Sequence, residues 1–191
     1  MNKIKKVSTY MVRGFNVLLM VLPLILGLQW LFLSLKETHF FQAINVFGLF
    51  EKELMTPEGC VSLHHVQRTA ALKLLGFCAE LMSLLPFLIS LVVLKTIFKD
   101  YQKGAIFSVA NAQRYAQLGW IAFVDALFIK SFSHSLLVFA ATFANPPGHR
   151  YITIGFGTPH LTTLFVGILL VIISWVMLEA SKIHDEQLFT I

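Results

Sequence analysis

Hydrophobic positions along the chain gather into four long runs separated by shorter polar segments. The clearest run, Ala70 to Leu94, reads AALKLLGFCAELMSLLPFLISLVVL and holds only two charges, Lys73 and Glu80. At ~1.5 Å per helical residue it is long enough to cross a hydrocarbon core of about 30 Å. It is apolar on every face, whereas a helix on the surface of a soluble domain keeps one polar side. Phe15–Leu35, Leu118–Phe143 and Leu161–Leu178 repeat the pattern. The expectation is an all-α membrane protein: residues 1–191 as one domain of four transmembrane helices in a bundle.

The connections carry their own signals. Met1–Gly14 is a basic leader that runs into the first apolar run without a small-residue cleavage site, so a retained span is expected, kinked at Pro23. Between the first two runs, Phe41, Ile44, Phe47, Phe50 and Leu54 recur every three or four residues, which predicts a short interfacial helix in the first outer loop. Thr56-Pro57-Glu58-Gly59 would break that helix, and Ser62 is placed to cap the second span. Lys95–Gln117 reads as a loop turning at Gly104, with Ser108 as the cap of the third span and Phe107 as its staple. Asn145-Pro146-Pro147-Gly148 ends that span.

Charge sets the orientation. The leader, second loop and tail hold nine Lys and Arg, against four in the two opposite loops. By the positive-inside rule both termini are expected in the cytoplasm. Only 13% of residues are charged and 57% are hydrophobic, half the charge usage of a soluble domain, so the membrane class is reinforced. The net charge of +5 is distributed as topology markers rather than as a patch with aromatics, so no direct contact with nucleic acid is expected. Cys60 and Cys78 form no CxxC pair; Cys78 reads as a small core residue and Cys60 as a loop thiol.

Five ionisable residues fall inside the spans: Lys73, Glu80, Asp125, Lys130 and His134. The third span carries thirteen Leu, Ile, Val or Phe residues, favouring insertion by roughly 6 kcal/mol, and Asp125 with Lys130 opposes it by about as much. Such a span needs neighbours, so its charges are expected to face other helices. Depth counting brings Glu80 to the level of Lys130 and His134, which predicts a bond from Glu80 to one or both. Asp125 lies about half a turn from His134, with Ser174 at a similar depth. Two roles are open: structural pairs that hold helix register, or a proton or ion relay in a small transporter or channel.

Other chemistry is thinly represented. His39, His64, His65, His149 and His160 map to outer loops or span ends, but no HxxxH or other ligand spacing occurs, so no metal, haem or other cofactor is expected. Walker, GxSxG and HExxH motifs are absent, and no enzyme activity is indicated.

Two segments nevertheless carry a resemblance. Gly104-Ala105-Ile106-Phe107-Ser108, followed by Asn111, Arg114, Leu118, Gly119 and Trp120, resembles the G-x-x-F-(S/T)…N…R-x-x-x-(L/I)-G-W element of a bacterial membrane family, domain-of-unknown-function group 2975. The tail Ile183–Ile191, with Asp185, Glu186 and Thr190, is similar to that family's ending, although Leu188 stands where an acidic residue is expected. The resemblance implies a four-span protein of the bacterial inner membrane without an assigned biochemistry. By gene association it implies a small cytoplasmic helix-turn-helix regulator as partner. The motif would then form a cytoplasmic docking face in a regulatory protein. A purely structural reading has Asn111 capping a helix and Arg114 pairing with Asp185 or Glu186.

Overall fold

The computed structural model describes residues 2–31, 53–56, 59–62, 69–143, 145, 149–153 and 159–189. The chain is α-helical. Helix α1 is Asn2–Leu31, α2 is Ala70–Lys103, α3 is Val109–Val124 and α4 is Lys130–Thr142, reached from α3 through a π turn, Asp125–Ile129; α5 is Pro159–Phe189. Four stretches are long and apolar enough to cross a membrane: Lys3–Leu31, Ala70–Lys103, Val109–Thr142 and Leu161–Ile183. Their outward faces are apolar too. Val17, Met20, Leu24 and Leu28 of α1 and Phe165, Ile172 and Val176 of α5 are all exposed. In water such faces would aggregate, whereas acyl chains solvate them. The chain is a multi-pass membrane protein.

The helices overrun the expected span limits because their caps lie further out. Helix α2 begins after Thr69, whose hydroxyl accepts from Leu72 N–H at 3.1 Å. Thr69 therefore takes the capping role expected of Ser62, which instead lies on a strand. At its other end α2 continues nine residues past Leu94 and closes in a Schellman motif. Ala105 N–H bonds Asp100 O and Gly104 N–H bonds Tyr101 O, each at 3.1 Å. Gly104 has φ +89°, the left-handed conformation this cap requires. Ser108 caps α3 as expected, accepting from Asn111 N–H at 3.3 Å, so the third helix starts at Val109, ahead of the apolar run from Leu118.

The connection between α1 and α2 departs from the sequence expectation. Glu53–Thr56 (β1) pairs antiparallel with Gly59–Ser62 (β2), Leu54 opposite Val61. Leu54, assigned above to an interfacial helix, is thus on a strand, where it is fully buried and β1 packs against α4. Period-three spacing lost to turn chemistry here, since Gly59 at φ +121° folds the chain back. Phe41, Ile44, Phe47 and Phe50 lie outside the described residues. Cys78 is also corrected: it is exposed, on a face of α2 that lipid rather than protein covers.

Contacts group the chain into two compact units. The first comprises Met1–Met20, Pro86–Ala126 and Gly157–Ile191. Within it α3 and α5 pack backbone to backbone: a Cβ on Gly119 would stand 2.9 Å from Gly167 O and 2.7 Å from Val171 Cγ2. Small residues permit such approaches where no hydrophobic drive pulls helices together. Ser174 Oγ donates to Ala112 O at 2.8 Å along the same seam. Phe15 of α1 meets Phe98 of α2 edge-on at 5.6 Å. The second unit comprises Val21–Leu85 and Leu127–Phe156. Here Ser133 Oγ of α4 donates to Ala79 O of α2 at 2.7 Å. The chain after α4 returns along it, with Tyr151 N–H on Thr142 Oγ1 at 3.1 Å and Ser135 Oγ on Thr153 O at 2.8 Å.

Replacing Gly119 by Ala is expected to lower stability by about 1–3 kcal/mol, because the clash is with backbone and a packed valine. Gly27→Ala, where a Cβ meets nothing within 4 Å, should leave it unchanged or raised. Thermal unfolding of both variants in one detergent makes the comparison.

Candidate functional site

Glu80 is the most buried of the five intramembrane ionisable residues, at 5% exposure. Its Oε2 accepts from Trp30 Nε1 of α1 at 2.5 Å. The indole reaches it by crossing Gly76, one turn earlier on α2, where an added Cβ would lie only 2.0 Å from Trp30 Cη2. Gly76 and Glu80, four apart, therefore act as groove and acceptor for one tryptophan. Lys130 Nζ, at the start of α4, donates to Ser83 Oγ at 3.0 Å. Of the two partners expected for Glu80, Lys130 bonds Ser83 instead, and Trp30 is a donor to Glu80 that the expectation did not include. Depth counting found the right level on α2 but not the hydroxyl one turn from Glu80. His134, one turn from Lys130, is half-buried.

Asp125 opens the π turn, and its N–H bonds the Ile121 and Ala122 carbonyls. A π turn adds a residue, so counting faces at ~3.6 residues per turn from Asp125 to His134 fails. Ser174, proposed above as a companion of Asp125, donates to Ala112 O instead. The antiparallel register that sets Gly167 beside Gly119 and Ser174 beside Ala112 carries Asp125 towards the start of α5. Lys73 lies on the wall of an apolar cleft formed with Gly27, Trp30, Leu31, Ala70, Leu74 and Phe77.

The second cluster sits at the turn between α2 and α3. Asn111 is completely buried. Its Nδ2 donates to Ala105 O at 2.8 Å and Ile106 O at 3.3 Å, satisfying the two carbonyls exposed by the turn. Its Oδ1 accepts from Arg114 at 2.7 Å, and the same Arg114 nitrogen bonds Asp100 of α2. Lys103 approaches the other Asp100 oxygen at 3.6 Å. Tyr101 and Tyr115 share a hydrogen bond of 3.0 Å beside them. Asn111 is therefore a loop staple rather than a helix cap, and Arg114 pairs with Asp100, a partner that was not expected. Sequence reasoning missed Asp100 because it assigned that residue to a loop; on a helix it stands one turn before Gly104, facing α3. Phe107 is 48% exposed at the tip. Asp185 and Glu186 lie on α5, and Thr190 falls outside the described residues.

Among the described residues no group of three His, Cys, Asp or Glu is placed to hold a metal. His39, His64 and His65 lie outside them.

Residues 63–191 match the profile of a family described as protein of unknown function (DUF2975). The chain belongs to that family. The matched region includes both clusters except Trp30 and the leader. It therefore contains Asn111, Arg114 and Gly119, whose work is visible as loop stapling, ion pairing and helix approach. No curated protein and no solved structure matches the chain.

Trp30→Phe removes the donor from a buried acid and is expected to cost about 1.5–3 kcal/mol, with Glu80→Gln milder because an acceptor remains. Both are read from thermal unfolding in detergent. In a double-mutant cycle, Asp100→Ala and Arg114→Ala should couple by about 0.5–3 kcal/mol, whereas Glu186→Ala and Arg114→Ala should add.

Proposed function

We propose that this DUF2975 member is a non-enzymatic regulatory protein of the bacterial inner membrane whose cytoplasmic end docks a soluble partner. The observation that supports this most directly is the α2–α3 turn. Its polar side chains are engaged within it, and the rigid frame they form holds Phe107 and Val109 exposed at 48% and 45%. An apolar tip on a stapled loop suits recognition, because little conformational entropy is lost on binding. The cytoplasmic assignment draws on the nine-to-four distribution of Lys and Arg. The Phe15–Phe98 and Phe98–Tyr101 ring contacts add support, gathering the leader and the end of α2 into one compact unit with α5. The partner class that best fits is a small helix-turn-helix regulator, with nucleic acid touched by that regulator alone.

The bonds in the second unit favour structure over transport. Trp30 offers Glu80 an N–H that donates only, and Lys130 is met by a hydroxyl. Such neutral partners hold helix register without passing a proton along.

A photo-crosslinking residue at Phe107, in cells expressing the regulator from the neighbouring gene, should capture that regulator. Asn111→Ala should diminish capture by releasing the turn, and Glu80→Gln should not. Crosslinks to lipid alone, or surface labelling of the leader in intact cells, would overturn the docking face.

A further inference from the structure

The second unit holds a cleft that neither cluster above uses. It has a volume of ≈ 410 Å³ and is walled by Gly27, Trp30 and Leu31 of α1 and Ala70, Lys73, Leu74 and Phe77 of α2. That volume falls within the ~300–1,000 Å³ typical of small-ligand sites. Its wall is apolar apart from Lys73. Gly27 contributes open space rather than a packing contact, since a Cβ there would meet nothing within 4 Å. One side is rigid, because the Trp30 ring is held across Gly76 and tied to Glu80.

Lys73 is the unusual member. It is half-buried in the first turn of α2, where the helix dipole disfavours a cation. Among the described residues its ammonium has no acidic partner and no hydrogen bond, although its backbone N–H bonds Thr69 O. The nearest acid on the same helix face, Glu80, is two turns away and bonded to Trp30. A cation at the mouth of an apolar slot calls for a ligand with a long apolar part and an anionic head. In a chain whose solvent is the bilayer, such molecules are the surrounding anionic phospholipids.

We infer that the α1–α2 cleft is a binding site for one anionic phospholipid, an acyl chain lying along Trp30, Leu74 and Phe77 and its phosphate meeting the Lys73 ammonium. Gly27 keeps the slot open, and the Trp30–Glu80 bond keeps its wall upright. The site is independent of the docking turn, so either assignment can fail without the other.

Trp30 is its own reporter. With Trp120 and Trp175 replaced by Phe, the full-length protein is reconstituted in phosphatidylcholine vesicles containing a small fraction of brominated phosphatidylglycerol or, separately, brominated phosphatidylcholine. Brominated phosphatidylglycerol is expected to quench Trp30 at lower mole fraction. Lys73→Gln should shift its half-quenching fraction about fivefold, to that of phosphatidylcholine. Gly27→Leu, which fills the slot but keeps the charge, should weaken quenching by both lipids. Equal quenching by the two lipids in the parent protein would overturn the site, as an ordinary lipid annulus gives that result. Equal quenching by a brominated free fatty acid in place of phosphatidylglycerol would overturn the phospholipid as occupant.

Discussion

Lipid is as apolar as the side chains it meets, so in this protein the hydrophobic effect places helices in the bilayer but does not join them. What joins them has to be close approach and hydrogen bonds, and one or both are visible at several helix pairs. Gly119 against Gly167 lets α3 and α5 touch through backbone, and Ser174 adds a bond to Ala112 O on the same seam. Gly76 admits the Trp30 ring and Glu80 receives its N–H. Ser133 and Lys130 tie α4 to α2 through Ala79 O and Ser83.

Polar atoms inside the spans therefore act mainly as fasteners. A buried carboxylate or ammonium is costly in hydrocarbon, and Glu80 and Lys130 each meet a neutral donor or acceptor from a neighbouring helix. The ionic chemistry is concentrated instead at the α2–α3 turn, where Asp100 gathers Arg114 and Lys103. That turn is over-determined: a Schellman cap, a serine N-cap and an asparagine staple all act within the twelve residues Asp100–Asn111. A loop so thoroughly held can present Phe107 in one position, which is the property a recognition surface needs.

Lys73 is the exception to the fastening rule. Its ammonium has no partner among the described residues and lies beside an apolar cleft, which separates it from Glu80 and Lys130, although all three look alike as charges in hydrophobic runs.

How much was legible in the sequence differs between elements for physical reasons. Four spans, the Ser108 cap, the Gly104 turn and the family itself could be read directly, because apolar length, capping chemistry and left-handed glycine are local properties. The helices extend past the expected spans, since polar residues such as Lys99 and Asp100 continue a helix as well as they end one. The β1–β2 hairpin was hidden behind a helical spacing that the turn at Gly59 overrode. Pairing belonged to the tertiary structure alone. Only when helices are laid side by side does Trp30 find Glu80, Arg114 find Asp100 and Gly119 find Gly167, because each bond depends on the rotation of two helices that composition leaves free.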